Sequence, residues 1–521
     1  MQSTTRRVAF ALASTLLLAA ATPGLAQSLN PRLDELLVKA KLSKTKVSVV
    51  AIESDTGRVL MSRNPAEELM PASNMKLITS GCAALVLGPD FKFRTELLIQ
   101  DTAALKPAPL APPATPGAQA TPASANPAPA PAPIEPRLIL RGSGDPALGD
   151  PKLLSQMNIG VEDLLARWVG AVKKSGITSF SEFIVDDRIF DREYIHPTWP
   201  VGQLNRWYCA EVSGLTFYAN LLAVFATPQG GSEPAALKLE PMAPWVELRN
   251  RTKSVKQGQQ TVWAAWTGAS EITVYGDARY SNEPVEVALK DTPEFVTRLV
   301  ADRLAKAGIR VGKARLANPD ENLDGGRVIQ VIETPLSVVL RRCNTDSYNL
   351  YAECLIKRMG HDVSGGSGSW RTGAAVERMT LADRLGADAG HEITIADGSG
   401  MSRENRVTAN IMARWLVELA KDSRSCALIT DSLATKGEGT MEHRFEGRKL
   451  KNEVHAKSGY ITGACTFSGY VVPPGAAATP GSKRIVFSIL TNEWPSGVSV
   501  RAIKDFQEDV VTALDAWLAK Q

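Results

Sequence analysis

The chain has 521 residues, of which 44% are hydrophobic and 22% are charged, and its formal net charge is only +4. That length exceeds what one compact core usually holds, so two or three domains are expected. The ordinary composition indicates a globular protein. The small net charge, without a long Lys/Arg run, argues against a nucleic-acid-binding protein.

The N-terminus has the features of a secretory signal peptide. Arg6 and Arg7 form a short basic region, a mostly apolar run follows from Val8 to Ala21, and small residues suited to cleavage end at Ala26. The apolar run is shorter than the roughly 20 residues of a membrane-spanning helix. We therefore expect cleavage near Ala26, export of the mature chain and no integral membrane span. An uncleaved anchor helix is the alternative.

A β-hairpin and a buried helix are the first elements predicted in the mature chain. Strand-like residues from Lys46 to Asn64 surround a turn at Asp55-Thr56-Gly57. A helix then opens around Ser73 and is ended by Gly88. This helix is hydrophobic nearly all round, which predicts burial in the centre of a domain.

Residues 101–136 are rich in proline and alanine. Such a segment cannot bury a core, so an extended loop is expected. It separates two strand-like runs, 94–99 and 137–140, which favours an insertion at a hairpin tip, because long surface loops cost little extra closure entropy. A tether to another protein is the alternative.

The remaining chain mixes helices and strands. Apolar periodicity predicts helices over 161–175, 293–308, 336–342, 348–359 and 406–422, and a C-terminal helix with one apolar face. Paired strands are predicted over 452–472 and 484–492. A hairpin at the start, with strands and a helix at the end, predicts an antiparallel sheet with helices on its faces.

Three short patterns carry candidate chemistry. The first is Ser73-x-x-Lys76 at a helix start, the second is Ser347-x-Asn349 at a helix start, and the third is Lys457-Ser458-Gly459 on a strand. Residues three apart on a helix share a face. A serine hydroxyl is a poor nucleophile until a base removes its proton, and a lysine can do so only when neutral. Lys457 could lower the pKa of Lys76 and attract a carboxylate.

Each pattern is weak alone, because copies of all three occur elsewhere in the chain. Their order and context select the set that begins at Ser73. In that set alone, the first two patterns lie at predicted helix starts and the third lies on a predicted strand, in the order found in penicillin-recognising serine enzymes. The competing copies begin at Ser43, Ser28, Ser124 and Lys174.

Cysteine and histidine spacing gives no sign of a metal site. The six cysteines form no CxxC pair, and the five histidines form no HExxH pattern. We expect no metal and no cofactor. An oxidising compartment permits disulfides, but the sequence cannot choose among the possible pairings.

Longer matches support a family resemblance. They include residues 142–146 (GSGDP), 185–190, Trp199-Pro200 and, most specifically, residues 397–403 (DGSGMSR). With the three patterns, the chain resembles the penicillin-binding protein 4 group of D-alanyl-D-alanine carboxypeptidases/endopeptidases, peptidase family S13, through nearly its whole mature length. Ser458 departs from the usual threonine of that group but keeps the hydroxyl.

The resemblance implies an α+β fold: a penicillin-recognising serine transpeptidase/β-lactamase-like domain, with an antiparallel sheet flanked by helices, and two smaller inserted domains. The implied catalytic domain spans 27–92 and 320–521, after a signal peptide at 1–26. Inserted domain II spans 93–136 and 192–319, and inserted domain III spans 137–191. The implied location is the periplasm.

The resemblance also implies the roles of the site residues. Ser73 is the nucleophile and Lys76 its base, Ser347 and Asn349 assist proton transfer and substrate binding, and Lys457 binds the terminal carboxylate. Further expected substrate contacts are the hydroxyl of Ser458, the strand at Gly459, the oxyanion-hole N–H of Tyr460, and a side-chain pocket bordered by Arg403, Met401 and Trp199. Arg403 bracing a loop is the alternative.

The expected substrates are peptidoglycan peptides, with β-lactams as covalent inhibitors. Two other hypotheses stay open: a β-lactamase or esterase on the same fold, and a non-catalytic cell-wall binding protein. The sequence also leaves open a homo-oligomer and the balance between carboxypeptidase and endopeptidase activity.

Overall fold

The computed structural model describes residues 28–101, 135–281 and 283–521. The predicted signal peptide and nearly all of the predicted Pro/Ala-rich loop lie outside these residues. Within the described ranges, no helix has both the length and the apolar character needed to cross a membrane.

The described residues form helices and strands whose bounds largely follow the sequence patterns. The helices are α1 (Asn30–Lys39), α2 (Met75–Val86), α3 (Pro151–Gln156), α4 (Val161–Lys174), α5 (Thr292–Lys306), α6 (Leu336–Thr345), α7 (Asn349–Ser364), α8 (Trp370–Leu385), α9 (Ala409–Lys421), α10 (Cys426–Ser432) and α11 (Val500–Leu518). The first half of the chain contributes the strands β1 (Lys46–Glu53), β2 (Val59–Arg63), β3 (Lys92–Gln100), β4 (Arg137–Arg141), β5 (Ser179–Asp186), β6 (Leu221–Thr227), β7 (Ala236–Glu240) and β8 (Glu247–Ser254). The second half contributes β9 (Trp263–Trp266), β10 (Glu271–Ala278), β11 (Val285–Ala288), β12 (Arg310–Leu316), β13 (Arg327–Pro335), β14 (Glu453–Ile461), β15 (Ala464–Val472) and β16 (Ile485–Asn492).

The ends of the chain meet in one five-stranded antiparallel sheet with the order β14-β15-β16-β1-β2. Both of its faces are covered. Val47, Val49 and Ala51 of β1 join the core cluster that includes α1 and α11, whereas Val50 and Ile52 join the cluster that includes α2 and α9. Successive side chains of a strand point to opposite faces of the sheet. Because both faces are covered, β1 carries apolar residues on both faces. The α+β architecture expected from the sequence is confirmed.

The region between helices α2 and α6 builds three further sheets. A second five-stranded sheet has the order β12-β5-β4-β3-β13, and two three-stranded sheets have the orders β8-β10-β9 and β11-β6-β7. Their core contains Leu164, Phe183 and Leu299, which come from both predicted inserted segments. The division of this region into two domains with the stated bounds stays a prediction.

Asp150 ties this inserted region to helices α6 and α7. Its carboxylate caps α3 by accepting from two backbone N–H groups, and Oδ2 also accepts from Arg342 (2.8 Å) and from the Tyr351 hydroxyl (2.7 Å). Asp150 is fully buried and the Arg342 side chain is 10% exposed. A buried ion pair is tolerated when its remaining polar atoms are hydrogen-bonded, as they are here.

The change Asp150→Ala should lower the free energy of unfolding by about 3–5 kcal/mol. It leaves the buried Arg342 guanidinium with Asp346 as its one carboxylate partner among the described residues, and it removes the cap of α3 and the acceptor of the Tyr351 hydroxyl. Urea denaturation monitored by circular dichroism measures this difference. The control is Glu35→Ala, which removes the exposed partner of Arg32 and should change stability by less than about 1 kcal/mol. A loss of the same size in both variants would contradict the assigned role of Asp150.

Candidate active site

Ser73 lies in a single 3-10 turn, Ala72–Asn74, directly before helix α2. The sequence pattern predicts that the helix itself opens at Ser73, whereas the regular α-helix begins at Met75. The turn still places Ser73 three residues before Lys76, and Lys76 Nζ lies 3.2 Å from Ser73 Oγ. The hydroxyl and the amine are therefore within hydrogen-bonding distance, the geometry that proton transfer between them requires.

The Lys76 amine is fully buried and surrounded by acceptors from distant parts of the chain. Nζ donates to Asn349 Oδ1 (2.7 Å) and to the carbonyl of Ser399 (2.9 Å). Burial lowers the pKa of Lys76 to about 8, against the opposing influence of Cys343, Glu353 and Asp397. A lysine with this pKa is partly neutral near physiological pH, so it can accept a proton from a hydroxyl.

Ser347 and Asn349 occupy the turn between α6 and α7. Ser347 has φ +62°, a left-handed conformation that is uncommon for a residue with a side chain. Asn349 is the first residue of α7, and its Nδ2 donates to the carbonyl of Tyr208 (2.9 Å). The inserted region therefore fixes the orientation of the amide that receives the Lys76 hydrogen bond.

Lys457, on strand β14, contacts the turn that carries Ser347. Its Nζ donates to Ser347 Oγ (2.8 Å) and to the carbonyl of Ser458 (2.7 Å). Burial, followed by the proximity of the Lys76 ammonium, lowers the pKa of Lys457 well below the usual lysine value. The backbone of Lys457 is anchored by Asn74, whose Nδ2 donates to its carbonyl (2.7 Å).

Gly459 allows strand β14 to lie directly against the Ser73 turn. A Cβ atom added at Gly459 would be 3.0 Å from the Ser73 nitrogen and 2.2 Å from Thr466 Oγ1, so any larger residue would separate the strand from the turn. The neighbouring Ser458 hydroxyl is buried and has no hydrogen-bond partner among the described residues. Tyr460 is 53% exposed. Strand β14 therefore lies against the Ser73 turn at Gly459, next to the unpaired Ser458 hydroxyl.

The 397–405 loop is built around Asp397. Its Oδ2 accepts from Trp199 Nε1 (2.8 Å) and from the Ser402 N–H (2.6 Å), and its Oδ1 accepts from the Gly400 N–H and from Asn405 Nδ2 (2.8 Å each). The DGSGMSR pattern thus describes a folded loop whose Ser399 carbonyl faces Lys76.

The three residues predicted to border a side-chain pocket differ in their contacts. Trp199 is only 3% exposed, and its indole holds Asp397. Met401 is 9% exposed, and Arg403 donates from Nη1 to the Thr462 carbonyl (2.7 Å) in the turn after β14. The bond to Thr462 agrees with the alternative that Arg403 braces a loop. The pocket itself stays a prediction, in which Trp199 would act through Asp397.

Two features of the site have no sequence signal. The Ser399 contact to Lys76 is made by a backbone carbonyl, which any residue type supplies. Asn74 could have been noted only for its position beside Ser73.

All six cysteines are free and buried, and among the described residues no three His, Cys, Asp or Glu side chains are grouped so that they could hold a metal ion.

Comparisons with known proteins agree with this geometry. The profile described as "D-Ala-D-Ala carboxypeptidase 3 (S13) family" matches residues 29–106 and 121–520. A D-alanyl-D-alanine carboxypeptidase from Actinomadura sp. (strain R39) is 30% identical over 512 residues, covering 93% of this chain and 86% of that protein. D-alanyl-D-alanine carboxypeptidase DacB of Haemophilus influenzae is 22% identical over 451 residues, covering 82% of each chain.

Solved structures share the fold. The crystal structure of penicillin binding protein 4 from Haemophilus influenzae superposes with a TM-score of 0.68 at 18% identity, covering 92% of this chain and 99% of that one. Its complex with a β-lactam gives a TM-score of 0.64, again at 18% identity, covering 93% and 99%. The fold, with its serine and two buried lysines, is that of the penicillin-recognising serine enzymes. The chain belongs to the D-Ala-D-Ala carboxypeptidase 3 (S13) family, as the sequence resemblance predicted.

The change Gly400→Ala should damage the loop that faces Lys76. Gly400 has φ +82°, and a Cβ there would lie 1.8 Å from the Ala72 carbonyl oxygen, next to Ser73. The matched control is Gly497→Ala, since Gly497 has φ +99° with nothing within 4 Å. Both variants carry the backbone strain, so urea denaturation should show Gly400→Ala to be less stable than the control by about 1–3 kcal/mol. Equal losses would mean that the close approach to Ala72 is unimportant.

Proposed function

We propose that this protein is an exported serine-type D-Ala-D-Ala carboxypeptidase and DD-endopeptidase that acts on peptidoglycan stem peptides and crosslinks through an acyl-enzyme. One observation carries the proposal: a fully buried lysine amine lies 3.2 Å from the Ser73 hydroxyl, while a second buried lysine lies 2.8 Å from the Ser347 hydroxyl. The names of the relatives in the same family support the substrate class.

Acylation begins with proton transfer from Ser73 to neutral Lys76. Ser73 Oγ then attacks the carbonyl carbon of the penultimate D-alanine, and a tetrahedral intermediate forms. The backbone N–H groups of Ser73 and Tyr460 stabilise its oxyanion. Ser347, hydrogen-bonded to Lys457, donates its hydroxyl proton to the leaving amine and is reprotonated with the proton that Lys76 took from Ser73. The terminal D-alanine then departs and Lys76 is neutral again.

Substrate binding depends on the strand edge of β14. The peptide's terminal carboxylate binds to Lys457 and to the Ser458 hydroxyl. That hydroxyl has no hydrogen-bond partner among the described residues, so it can donate to the carboxylate. The strand at Gly459 lies alongside the substrate backbone, and Asn349 orients the substrate amide. A pocket near Arg403 and Met401, held through Trp199, receives the side chain of the substrate.

The second half of the reaction releases the acyl group. Water attacks the ester carbonyl of Ser73, and Lys76 is again placed to accept the proton. Attack at a terminal D-alanine gives carboxypeptidase activity, and attack at a crosslink gives endopeptidase activity. A β-lactam acylates the same serine but retains its leaving group, so its ester is hydrolysed slowly.

The location of this chemistry is outside the cytoplasm. The signal peptide at 1–26 directs export and is cleaved near Ala26, so the mature enzyme acts in the periplasm, where peptidoglycan is its substrate. The catalytic domain is assembled from the ranges 27–92 and 320–521, with the two smaller domains inserted between them.

Incubation of the mature protein with benzylpenicillin should give an adduct of one drug mass, measured by intact-mass spectrometry. The adduct should be absent from Ser73→Ala, because that variant has no nucleophile. The control variant is Ser43→Ala, which alters a competing Ser-x-x-Lys copy far from the site pattern and should still be labelled.

Each other result contradicts a part of the proposal. Hydrolysed drug without an adduct would indicate a β-lactamase. Intact drug without an adduct would favour a non-catalytic binding protein. Release of D-alanine from a stem pentapeptide by the wild type, but not by Ser73→Ala, tests the peptidase activity itself.

The second-order rate constant for this acylation should rise with pH and level off above about pH 9. The pKa of Lys76 is lowered by burial to about 8, so the neutral amine that accepts the Ser73 proton becomes more populated as pH increases. Stopped-flow acylation with a chromogenic β-lactam measures the profile. Lys76→Gln should be at least about a hundredfold slower and should lack the inflection. A rate independent of pH would exclude Lys76 as the base.

A further inference from the structure

Glu353 is a buried carboxyl group close to the site that the steps above do not use. It lies on α7 four residues after Asn349, so the two side chains share a face of the helix. Glu353 is 0% exposed. A buried carboxylate is costly unless hydrogen-bond donors surround it, so its partners indicate what it does.

All three hydrogen-bond partners of Glu353 are donors. Its Oε1 accepts from the Ser399 N–H (2.9 Å), and its Oε2 accepts from the Gly398 N–H (3.0 Å) and from Trp370 Nε1 (2.8 Å). This set suits an ionised carboxylate, which only accepts. A protonated carboxyl, or an amide in its place, would direct a donor against one of these donors.

The bonds to Glu353 fix the residue that faces the predicted base. The N–H of Ser399 is held by Glu353, and the carbonyl of Ser399 accepts from Lys76 Nζ at 2.9 Å. The preceding carbonyl, that of Gly398, accepts from the Thr79 hydroxyl at 2.8 Å. Glu353 therefore connects α7 to the loop, and the loop connects to helix α2.

The charge of Glu353 also reaches Lys76. A nearby negative charge favours the protonated lysine and opposes the effect of burial on its pKa. The pKa of Glu353 is raised to about 7, by burial first and by Asp397 second, while its three hydrogen bonds lower it. The titratable groups that face Glu353 from the elements around it are Lys76 on α2, Glu377 on α8, Cys343 on α6, Cys354 on α7, Asp397 in the loop and Cys209 in the 3-10 turn Trp207–Cys209.

Glu377 provides an internal comparison. It is also fully buried and near Asp397 and Glu353, but neither carboxyl oxygen has a hydrogen-bond partner among the described residues. The Thr79 hydroxyl beside it donates instead to the Gly398 carbonyl. Burial raises the pKa of Glu377 well above its usual range. Burial thus favours its uncharged form, and its carboxyl group makes no hydrogen bond to the loop.

We infer that Glu353 is a positioning residue for Lys76: its carboxylate holds the Ser399 peptide against the lysine amine, and its negative charge sets how readily that amine gives up its proton. The inference rests on the proposed function, in which Lys76 is the base. It extends that function because it assigns the tuning of the base to a residue outside the three sequence patterns.

The test compares pH profiles of β-lactam acylation for the wild type, E353Q and E377Q, from about pH 5 to pH 10. E353Q removes a charge, so Lys76 becomes neutral at lower pH and the midpoint of the acid limb should fall by about one pH unit. The loosened loop should also lower the plateau by about tenfold. E377Q changes a buried carboxyl group that makes no hydrogen bond to the loop and whose charged form is disfavoured by burial, so it should keep the wild-type midpoint.

The position of the midpoint distinguishes tuning from a general loss of structure. A purely structural role lowers the plateau alone, so a wild-type midpoint in E353Q would overturn the inference, and so would an equal shift in E377Q.

If thermal unfolding shows that E353Q does not fold, E353D, which keeps the charge on a shorter side chain, should show a lower plateau with the wild-type midpoint. A wild-type plateau in E353D would also overturn it. Failure of the wild type to form any adduct would instead reject the proposed function.

Discussion

The burial of the Lys76 amine is the constraint on which the rest of the site depends. An ammonium group removed from water is strongly destabilised unless acceptors replace its hydration, and the same destabilisation is what brings its pKa to about 8. The acceptors come from Asn349 and from the Ser399 carbonyl, far apart in the chain. The lysine can therefore become a base only after α2, α7 and the 397–405 loop have packed together. Reactivity and tertiary structure arise from the same contacts.

This dependence explains how a long insertion between Ser73 and Ser347 is compatible with the site. The inserted region leaves and returns through paired strands: β3 and β13 are antiparallel, and the N–H of Leu336 donates to the carbonyl of Phe91 at 2.9 Å. Because its two ends are neighbours, the insertion does not separate α2 from α6. It nonetheless reaches back to the site, since the Tyr208 carbonyl orients Asn349 and Asp150 holds Arg342 beneath the turn that carries Ser347. The inserted region is thus part of the frame of the catalytic groups.

The sequence predicted those parts of the fold that local patterns determine. The hairpin at Lys46, the end strands, the C-terminal helix and the paired helices before and after Ser347 follow from periodicity. Helix α9 begins at Ala409, three residues later than predicted, because the Thr408 hydroxyl caps it by accepting from Ile411. Helix α1 was not predicted although Leu33, Leu36 and Leu37 follow helical spacing. Helix α8 and most strands of the inserted region were not predicted either, since their weakly patterned residues gain order from tertiary packing.

Within the site, too, sequence patterns predicted some features, whereas others depend on tertiary contacts. Sequence patterns found the residues that touch one another directly, Ser73 with Lys76 and Lys457 with Ser347, because their side-chain chemistry is specific. They could not find Ser399, which contributes a carbonyl, or Glu353, whose importance lies in three donors that only the folded chain brings to it. Trp199, which a family pattern suggested as a border of a substrate pocket, is 3% exposed and donates to Asp397; its part in a pocket stays a prediction.

The two buried lysines lie in similar surroundings, but the proposed reaction requires opposite protonation states of them. In the proposed reaction, Lys76 must lose its proton to act as a base, whereas Lys457 must keep its charge to bind a carboxylate. Both amines are buried, and burial first and the nearby Lys76 charge second lower the pKa of Lys457 well below its usual range. In the proposed reaction, a substrate that ends in a carboxylate supplies a counter-charge beside Lys457 and so favours its protonated form. The proposed preference for substrates with a free carboxylate thus has an electrostatic basis in the burial of Lys457.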